Sequence, residues 1–249
     1  MNIPCVVVTR PVPDHQHLMD QLSGLGLQAI HAPAFELEPH TLDDATRQGL
    51  NRCELMIAVS PMAARSAVDQ LSPELLGQVQ WLVPGAGTAA VLQQHGYSAA
   101  YPPKSSTSEA LLNLQALEQV KGKTIGLLNA RQGRRLLPET LAERGATVIE
   151  AEIYRRIALP LPPCLLKQLD LPAGEAGPVA TLISSRNAFD HLADALEPDR
   201  RQRWLKGRFI VSSARLSNHL QGKGAQRILV ADGAGDNDML DALARSGWC

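Results

Sequence analysis

The chain has 249 residues, 45% hydrophobic and 20% charged, with a formal net charge of −1 and three each of Trp, Tyr and Phe. Those values describe an ordinary soluble globular protein, long enough for one large domain or two small ones. They exclude a global field favouring nucleic acid or an anionic membrane, and so few aromatics argue against a base-stacking surface. An anionic ligand would need local donors.

Short runs rich in Val, Ile and Leu alternate with stretches of helical period, the pattern of a parallel α/β sheet. The expected strands are Cys5–Thr9, Gln28–Leu37, Leu55–Val59, Trp81–Val83, a weaker one near Ala99–Tyr101, Thr124–Leu128, Thr147–Ile157, Ala180–Ile183, Arg208–Val211 and Arg227–Val230. Helices are expected over His15–Leu25, Met62–Gln70, Thr88–His95, Ser108–Gln119 with Ser108 as N-cap, Arg134–Arg144, Arg186–Leu196, Leu216–Gln221 and Asn237–Ser246. Gly26, Gly96 and Gly145 stand where helix C-caps belong.

The two halves repeat one plan. Gly26 and Gly145 follow Leu-containing helix tails 119 residues apart, Ser60 and Ser185 lie 125 apart, and Leu92 and Leu220 lie 128 apart. A period that long marks domain-sized halves rather than a solenoid. Two extended stretches, about 28–39 and 147–160, are roughly twice the usual strand length. Occupying equivalent places, they are expected to pair as a two-stranded hinge beside a ligand cleft. The segment Ala158–Pro178 holds five prolines and reads as a linker with a short amphipathic piece.

Cys5, Cys53, Cys164 and Cys249 are scattered, with no C-x-x-C pair, and no histidine pair has metal-ligand spacing. The chain enters a strand within four residues and contains no long apolar run, so a cytoplasmic, reduced protein is expected.

Ligands of parallel sheets bind beyond the carboxyl ends of the strands. Those ends carry Thr9-Arg10-Pro11, Ser60-Pro61, Pro84 to Thr88, Asn129 to Gly133 with Arg131, Ser184-Ser185-Arg186-Asn187 and Ser212-Ser213. Small hydroxyl residues and glycines that open helices present free N–H groups suited to carboxylates or phosphates. For any one of them the simpler reading is an N-cap. Gly85-Ala86-Gly87-Thr88-Ala89-Ala90 matches a dinucleotide fingerprint in form, but no acid ends the following strand to hold a ribose. The acidic loop Asp232 to Asp238 lacks an EF-hand spacing and reads as solvated, with Asp236 or Asn237 capping the last helix. Tyr154, on the second long stretch, is expected to face the cleft, where its phenol could donate a proton; packing within the ladder is the competing reading.

Taken in order, Val6–Pro11 (VVVTRP), Ala58–Ala64 (AVSPMAA), Val83–Leu92 (VPGAGTAAVL), Thr107–Leu112 and Arg144–Arg156 (RGATVIEAEIYRR) resemble the uroporphyrinogen-III synthase family. No one of these motifs is specific, but their order spans nearly the whole chain. The resemblance implies two flavodoxin-like lobes joined by a two-stranded β-ladder, one from residues 1–37 plus 155–249, the other from 38–154. It implies dehydration and cyclisation of hydroxymethylbilane, with inversion of the last pyrrole ring, to uroporphyrinogen III, without cofactor or metal. Loss of the terminal hydroxyl gives an electrophilic azafulvene; attack by the substituted carbon of the last ring gives a spiro intermediate that fragments and recloses. The protein's task is to hold the chain folded against the simple closure that gives the type I isomer.

In this resemblance Tyr154 takes the family's tyrosine position, aiding departure of the hydroxyl. Ser60, Thr88, Ser184 and Ser185 match cleft-lining positions, and Arg10 matches an arginine that can also be a structural partner at the sheet edge. Arg131, Ser212 and Ser213 join the expected binding set. Relatives often carry Gly-Pro-Thr-Thr where this chain has Ser212-Ser213-Ala214-Arg215, so Arg215 is expected to supply a carboxylate contact instead. The implied partners are the linear octacarboxylate substrate and, transiently, hydroxymethylbilane synthase; a monomer is expected. A non-catalytic two-lobed protein binding a small polyanion is the alternative, and a nicotinamide oxidoreductase built on Gly85–Ala90 a third.

Overall fold

Four consecutive residues with no exposed surface, Cys5 to Val8, open the structure as β1 (Cys5–Val8). The computed structural model describes residues 5–103, 107–130, 135–171 and 178–247. The first half continues α1 (Gln16–Gly24), β2 (Gln28–His31), β3 (Phe35–Pro39), α2 (Asp44–Leu50), β4 (Leu55–Ala58), α3 (Pro61–Gln70), α4 (Pro73–Gln78), β5 (Gln80–Leu82), α5 (Ala86–Gln94), β6 (Ala99–Ala100), α6 (Ser108–Leu112) and α7 (Gln115–Glu118). The second half runs β7 (Thr124–Ala130), α8 (Leu136–Glu143), β8 (Thr147–Ala158), α9 (Pro163–Leu169), β9 (Pro178–Ile183), α10 (Arg186–Ala195), α11 (Pro198–Leu205), β10 (Arg208–Val211), α12 (Ala214–Gly222), β11 (Arg227–Val230) and α13 (Asp236–Arg245).

Two sheets result, ordered β11-β10-β9-β1-β2 and β3-β8-β7-β4-β5-β6. The ladders joining β1 to β2 and β9, and β10 to β9 and β11, are parallel, as are those joining β4 to β5 and β7, β5 to β6, and β7 to β8. Each sheet therefore takes a strand–helix–strand unit from one half of the sequence and the rest of its strands from the other, three in the first sheet and four in the second. The chain divides into two compact units: Met1–Glu36 with Ile157–Cys249, and Leu37–Arg156.

Helices cover both faces of each sheet, which is why the strands are continuous apolar runs rather than alternating ones. In the first unit Val6, Val8, Leu182 and Ile210 pack with Leu18 and Leu22 of α1 and Met239 and Leu243 of α13. The intervening residues Cys5, Val7 and Val211 pack oppositely, with Phe189, Leu192, Trp204 and Leu216. In the second unit Met56, Ala58 and Leu128 face α3 and α5, whereas Leu55, Ile57, Ile125 and Leu127 face Leu111, Leu117, Leu137 and Leu141. Each large aliphatic side chain so buried contributes about 1.5–3 kcal/mol.

Several boundaries differ from expectation. The stretch 28–39 is two strands, β2 and β3, because Ala32-Pro33-Ala34 interrupts it and proline has no N–H for a ladder. Its counterpart β8 is continuous for 12 residues. The helix expected over Ser108–Gln119 is two short ones, and its cap is Thr107, whose hydroxyl accepts from the Ala110 N–H at 3.2 Å. The last helix is capped at Gly235, with the Asp238 carboxylate accepting from the Gly235 N–H at 3.1 Å, rather than by Asp236 or Asn237. Helices α2, α4 and α11 were not expected, although Asp43, Ser72 and Glu197 stand at their N-caps and Pro73 and Pro198 open the last two.

Candidate functional site

The carboxyl ends of β4 and β7 meet the stretch of β8 around Tyr154 at one corner of the second unit. Ser60 ends the β4 turn in an extended conformation and opens α3 ahead of Pro61. Its Oγ accepts from the Ala63 N–H at 3.1 Å, an N-cap. The same hydroxyl donates to the phenol oxygen of Tyr154, also at 3.1 Å. Two residues that lie 94 positions apart are thereby brought into direct contact.

A register shift places Tyr154. Along β7 and β8, Asn129 stands opposite Glu152, but the next residue, Ala130, stands opposite Tyr154. The extra residue on β8 is a bulge, which reverses the alternation of side chains beyond it. Tyr154 consequently joins Ala151 and Ile153 in one core cluster instead of pointing to the other face. It is only 2% exposed, so its ring is packed rather than presented. Past the bulge, Arg156 is exposed; one Nη donates to the phenol oxygen at 3.5 Å, and the guanidinium carbon lies 5.9 Å from the ring centre. Thr88, in the first turn of α5, is also buried at 4% exposure. Arg131 lies outside the described residues.

The remaining expected residues form a second set in the first unit. Ser184 and Ser185 follow β9, and Ser185 caps α10 by accepting from the Ala188 N–H at 3.5 Å. Ser213 caps α12, accepting from the Leu216 N–H at 3.3 Å, and the Ser212 hydroxyl donates to the Ser184 carbonyl at 3.3 Å, tying the two turns together. Arg215 is exposed and has no ion pair among the described residues. The hydroxyls of Ser60, Ser185 and Ser213 are thus all used as caps.

Arg10 stands at the end of β1, an interior strand rather than a sheet edge. Its guanidinium donates to the Asp236 carboxylate and to the Ala234 carbonyl. The other oxygen of Asp236 meets His17 Nδ1 at 2.6 Å. Beside this, His31 Nε2 bonds the Arg10 carbonyl at 2.7 Å, and its ring stacks on His15 at 3.7 Å. Burial, with a smaller push from His15, holds the His31 imidazole below its ordinary 6.5, against the Arg10 hydrogen bond that raises it. Burial pushes the Cys5 and Cys53 thiols up to about 11. Among the described residues no three His, Cys, Asp or Glu gather closely enough to hold a metal ion, and no helix is long and apolar enough to cross a membrane.

Sequence reasoning missed Arg156, and read Asp236 as a helix cap rather than as an ion-pair partner. The first shares strand parity with Tyr154, a signal that was available. The second is 226 positions from its partner, and nothing local announces it.

Comparison with known proteins is consistent along the whole chain. The family model described as uroporphyrinogen-III synthase HemD matches residues 16–241. The uroporphyrinogen-III synthase of Escherichia coli K12 is 31% identical over 249 residues, covering 96% of this chain and 99% of that protein. That of Salmonella typhimurium LT2 is 32% identical over 255 residues, with the same coverage. Among solved structures, a mutant uroporphyrinogen III synthase from the extreme thermophile Thermus thermophilus aligns with a TM-score of 0.65 at 19% identity, over 98% of both chains. The Helicobacter pylori 26695 enzyme aligns with a TM-score of 0.63 at 18% identity, over 98% of this chain and 99% of its own. The structural likenesses carry the fold of two parallel-sheet lobes, and the sequence matches carry the rest: the chain belongs to the uroporphyrinogen-III synthase family.

Proposed function

We propose that this chain acts as a uroporphyrinogen-III synthase, converting hydroxymethylbilane to uroporphyrinogen III and water, with Tyr154 as the proton donor. The family is one of cyclising lyases in haem biosynthesis. The observation that carries the residue assignment is the Ser60–Tyr154 bond beyond the carboxyl ends of β4 and β7, the two strands between which strand order reverses. With Ser60 donating to the phenol oxygen, the phenol's own hydrogen is left to donate elsewhere. Given to the terminal hydroxyl of the substrate, it turns that group into departing water as the C–O bond breaks. Ring closure through the substituted carbon then follows from the substrate's own reactivity, and a proton lost from the tetrapyrrole restores the phenol.

The binding role stays with Ser60, Thr88, Ser184, Ser185, Ser212, Ser213 and Arg215, whose turns offer helix-opening N–H groups for carboxylates, and with Arg131 as a cationic side chain. For Arg10 the ion pair with Asp236 favours a structural role. The reading includes a monomer in a reducing, cytoplasmic setting, supported by the free thiols of Cys5 and Cys53 in the core, and a transient encounter with hydroxymethylbilane synthase as the supplier of an unstable substrate.

The test is to incubate the protein with enzymatically generated hydroxymethylbilane, oxidise, and separate the porphyrin isomers. Type III should dominate. Type I alone would refute the reading, and Tyr154→Phe with undiminished type III formation would remove the tyrosine's role while leaving the function intact.

A further inference from the structure

The arginines around β8 differ in one respect. Arg155 is paired with Glu152 at 2.8 Å and lies 3.0 Å from His40 Nε2, and Arg135 is paired with Glu150 at 2.8 Å. Arg156, exposed on the same strand, has no carboxylate partner among the described residues. What holds its guanidinium is weak: a long bond of 3.5 Å to a neutral phenol oxygen, and a ring at 5.9 Å, near the outer limit of cation–π attraction.

The geometry points to Arg156 as a substrate-carboxylate binding residue that anchors the substrate beside the Tyr154 phenol. This rests on the function proposed above. A charge-assisted bond from guanidinium to carboxylate is roughly twice as strong as one to a neutral acceptor, so a substrate carboxylate outcompetes the phenol for this cation. When the guanidinium turns to the carboxylate, the phenol oxygen loses one of its two N–H or O–H donors and the charge lying against its ring. Ser60 remains and fixes the orientation of the hydroxyl. No bond is made or broken in this step.

The test compares Arg156→Gln, Arg156→Met and Arg156→Lys with the unmodified enzyme, measuring KM and kcat for type III formation and amide hydrogen exchange along β8. Loss of a charged hydrogen bond should raise KM about ten-fold or more in the Gln and Met variants. Lys, which keeps the charge, should fall between them and the parent, and exchange along β8 should be unchanged because the side chain is exposed. A KM within about two-fold of the parent in both uncharged variants would overturn the inference, as would a Lys variant no better than Gln. These outcomes are separate from those that judge the function: the parent's isomer ratio decides the reaction, and Tyr154→Phe turnover decides the acid.

Discussion

Replacing Ser60 by Ala removes two interactions at once, and a double-mutant cycle with Tyr154→Phe separates them. The hydroxyl caps α3 through the Ala63 N–H and donates to the Tyr154 phenol, each at 3.1 Å. Loss of an N-cap costs about 1 kcal/mol. Loss of a neutral hydrogen bond inside the fold costs about another 1 kcal/mol. Ser60→Ala should therefore destabilise by roughly 2 kcal/mol, and Tyr154→Phe, which leaves the cap intact, by roughly 1 kcal/mol. The double variant loses the shared bond only once and should cost about 2 kcal/mol, giving a coupling of about 1 kcal/mol between the sites. Two compact units need not unfold in one transition, so a global melting curve is the wrong probe. Hydrogen exchange of the amides of α3 reads the relevant unit directly. Effects that add to within about 0.3 kcal/mol would refute the contact on which the acid's orientation depends.

Other consequences follow from packing and charge. Gly126→Ala places a methyl 2.9 Å from Leu50 Cδ2 and 3.2 Å from Met56 Cγ in the middle of β7, and overpacking there should cost about 1–3 kcal/mol, read as faster hydrogen exchange of the β7 amides. Asp236→Ala leaves the Arg10 guanidinium, with a side chain 15% exposed, holding only the Ala234 carbonyl; a loss of about 3 kcal/mol is expected, read as faster exchange in β1 and α13. Because the folded-state pKa of His31 lies below the ordinary 6.5, the unfolded chain binds more protons as pH drops below that value, so stability should fall with it until the folded value is passed. His31→Asn should flatten that decline, read from hydrogen exchange of the β1 and β2 amides between about pH 7 and 5, corrected for intrinsic exchange rates.

The alternation of apolar runs and helical stretches was enough to locate the strands and to reveal the repeat, because both depend on local pattern. The helices it overlooked, α2, α4 and α11, are short segments of six to eight residues, below the length at which a 3.6-residue period can be recognised. Their caps, Asp43 and Ser72, were readable. Pro33 was readable too, and with its missing donor taken into account the stretch 28–39 divides where β2 ends. At the site the limits were different in kind. Tyr154 and Ser60 could be singled out, but not their contact, which depends on a bulge set by the pairing of β7 with β8. Asp236 could be read only as a loop acid, since its partner Arg10 comes from the opposite end of the chain.

The exchange of strand–helix–strand units also bears on how the chain is made. One unit is a single run from Leu37 to Arg156, whereas the other needs Met1–Glu36 to join Ile157–Cys249. At about 5–20 residues per second, β1 and β2 leave the ribosome on the order of ten seconds before β9 is synthesised. Throughout that interval β1, entirely apolar and destined for the interior of a sheet, can pair with β2 but keeps its other edge open. An uncovered edge of that kind invites wrong partners. Nascent chains from which residues up to Arg156 have emerged should accordingly contain one finished lobe and a β1 strand with one edge exposed, and during synthesis the amino-terminal 36 residues, rather than the corner that holds Tyr154, are where this enzyme most needs protection.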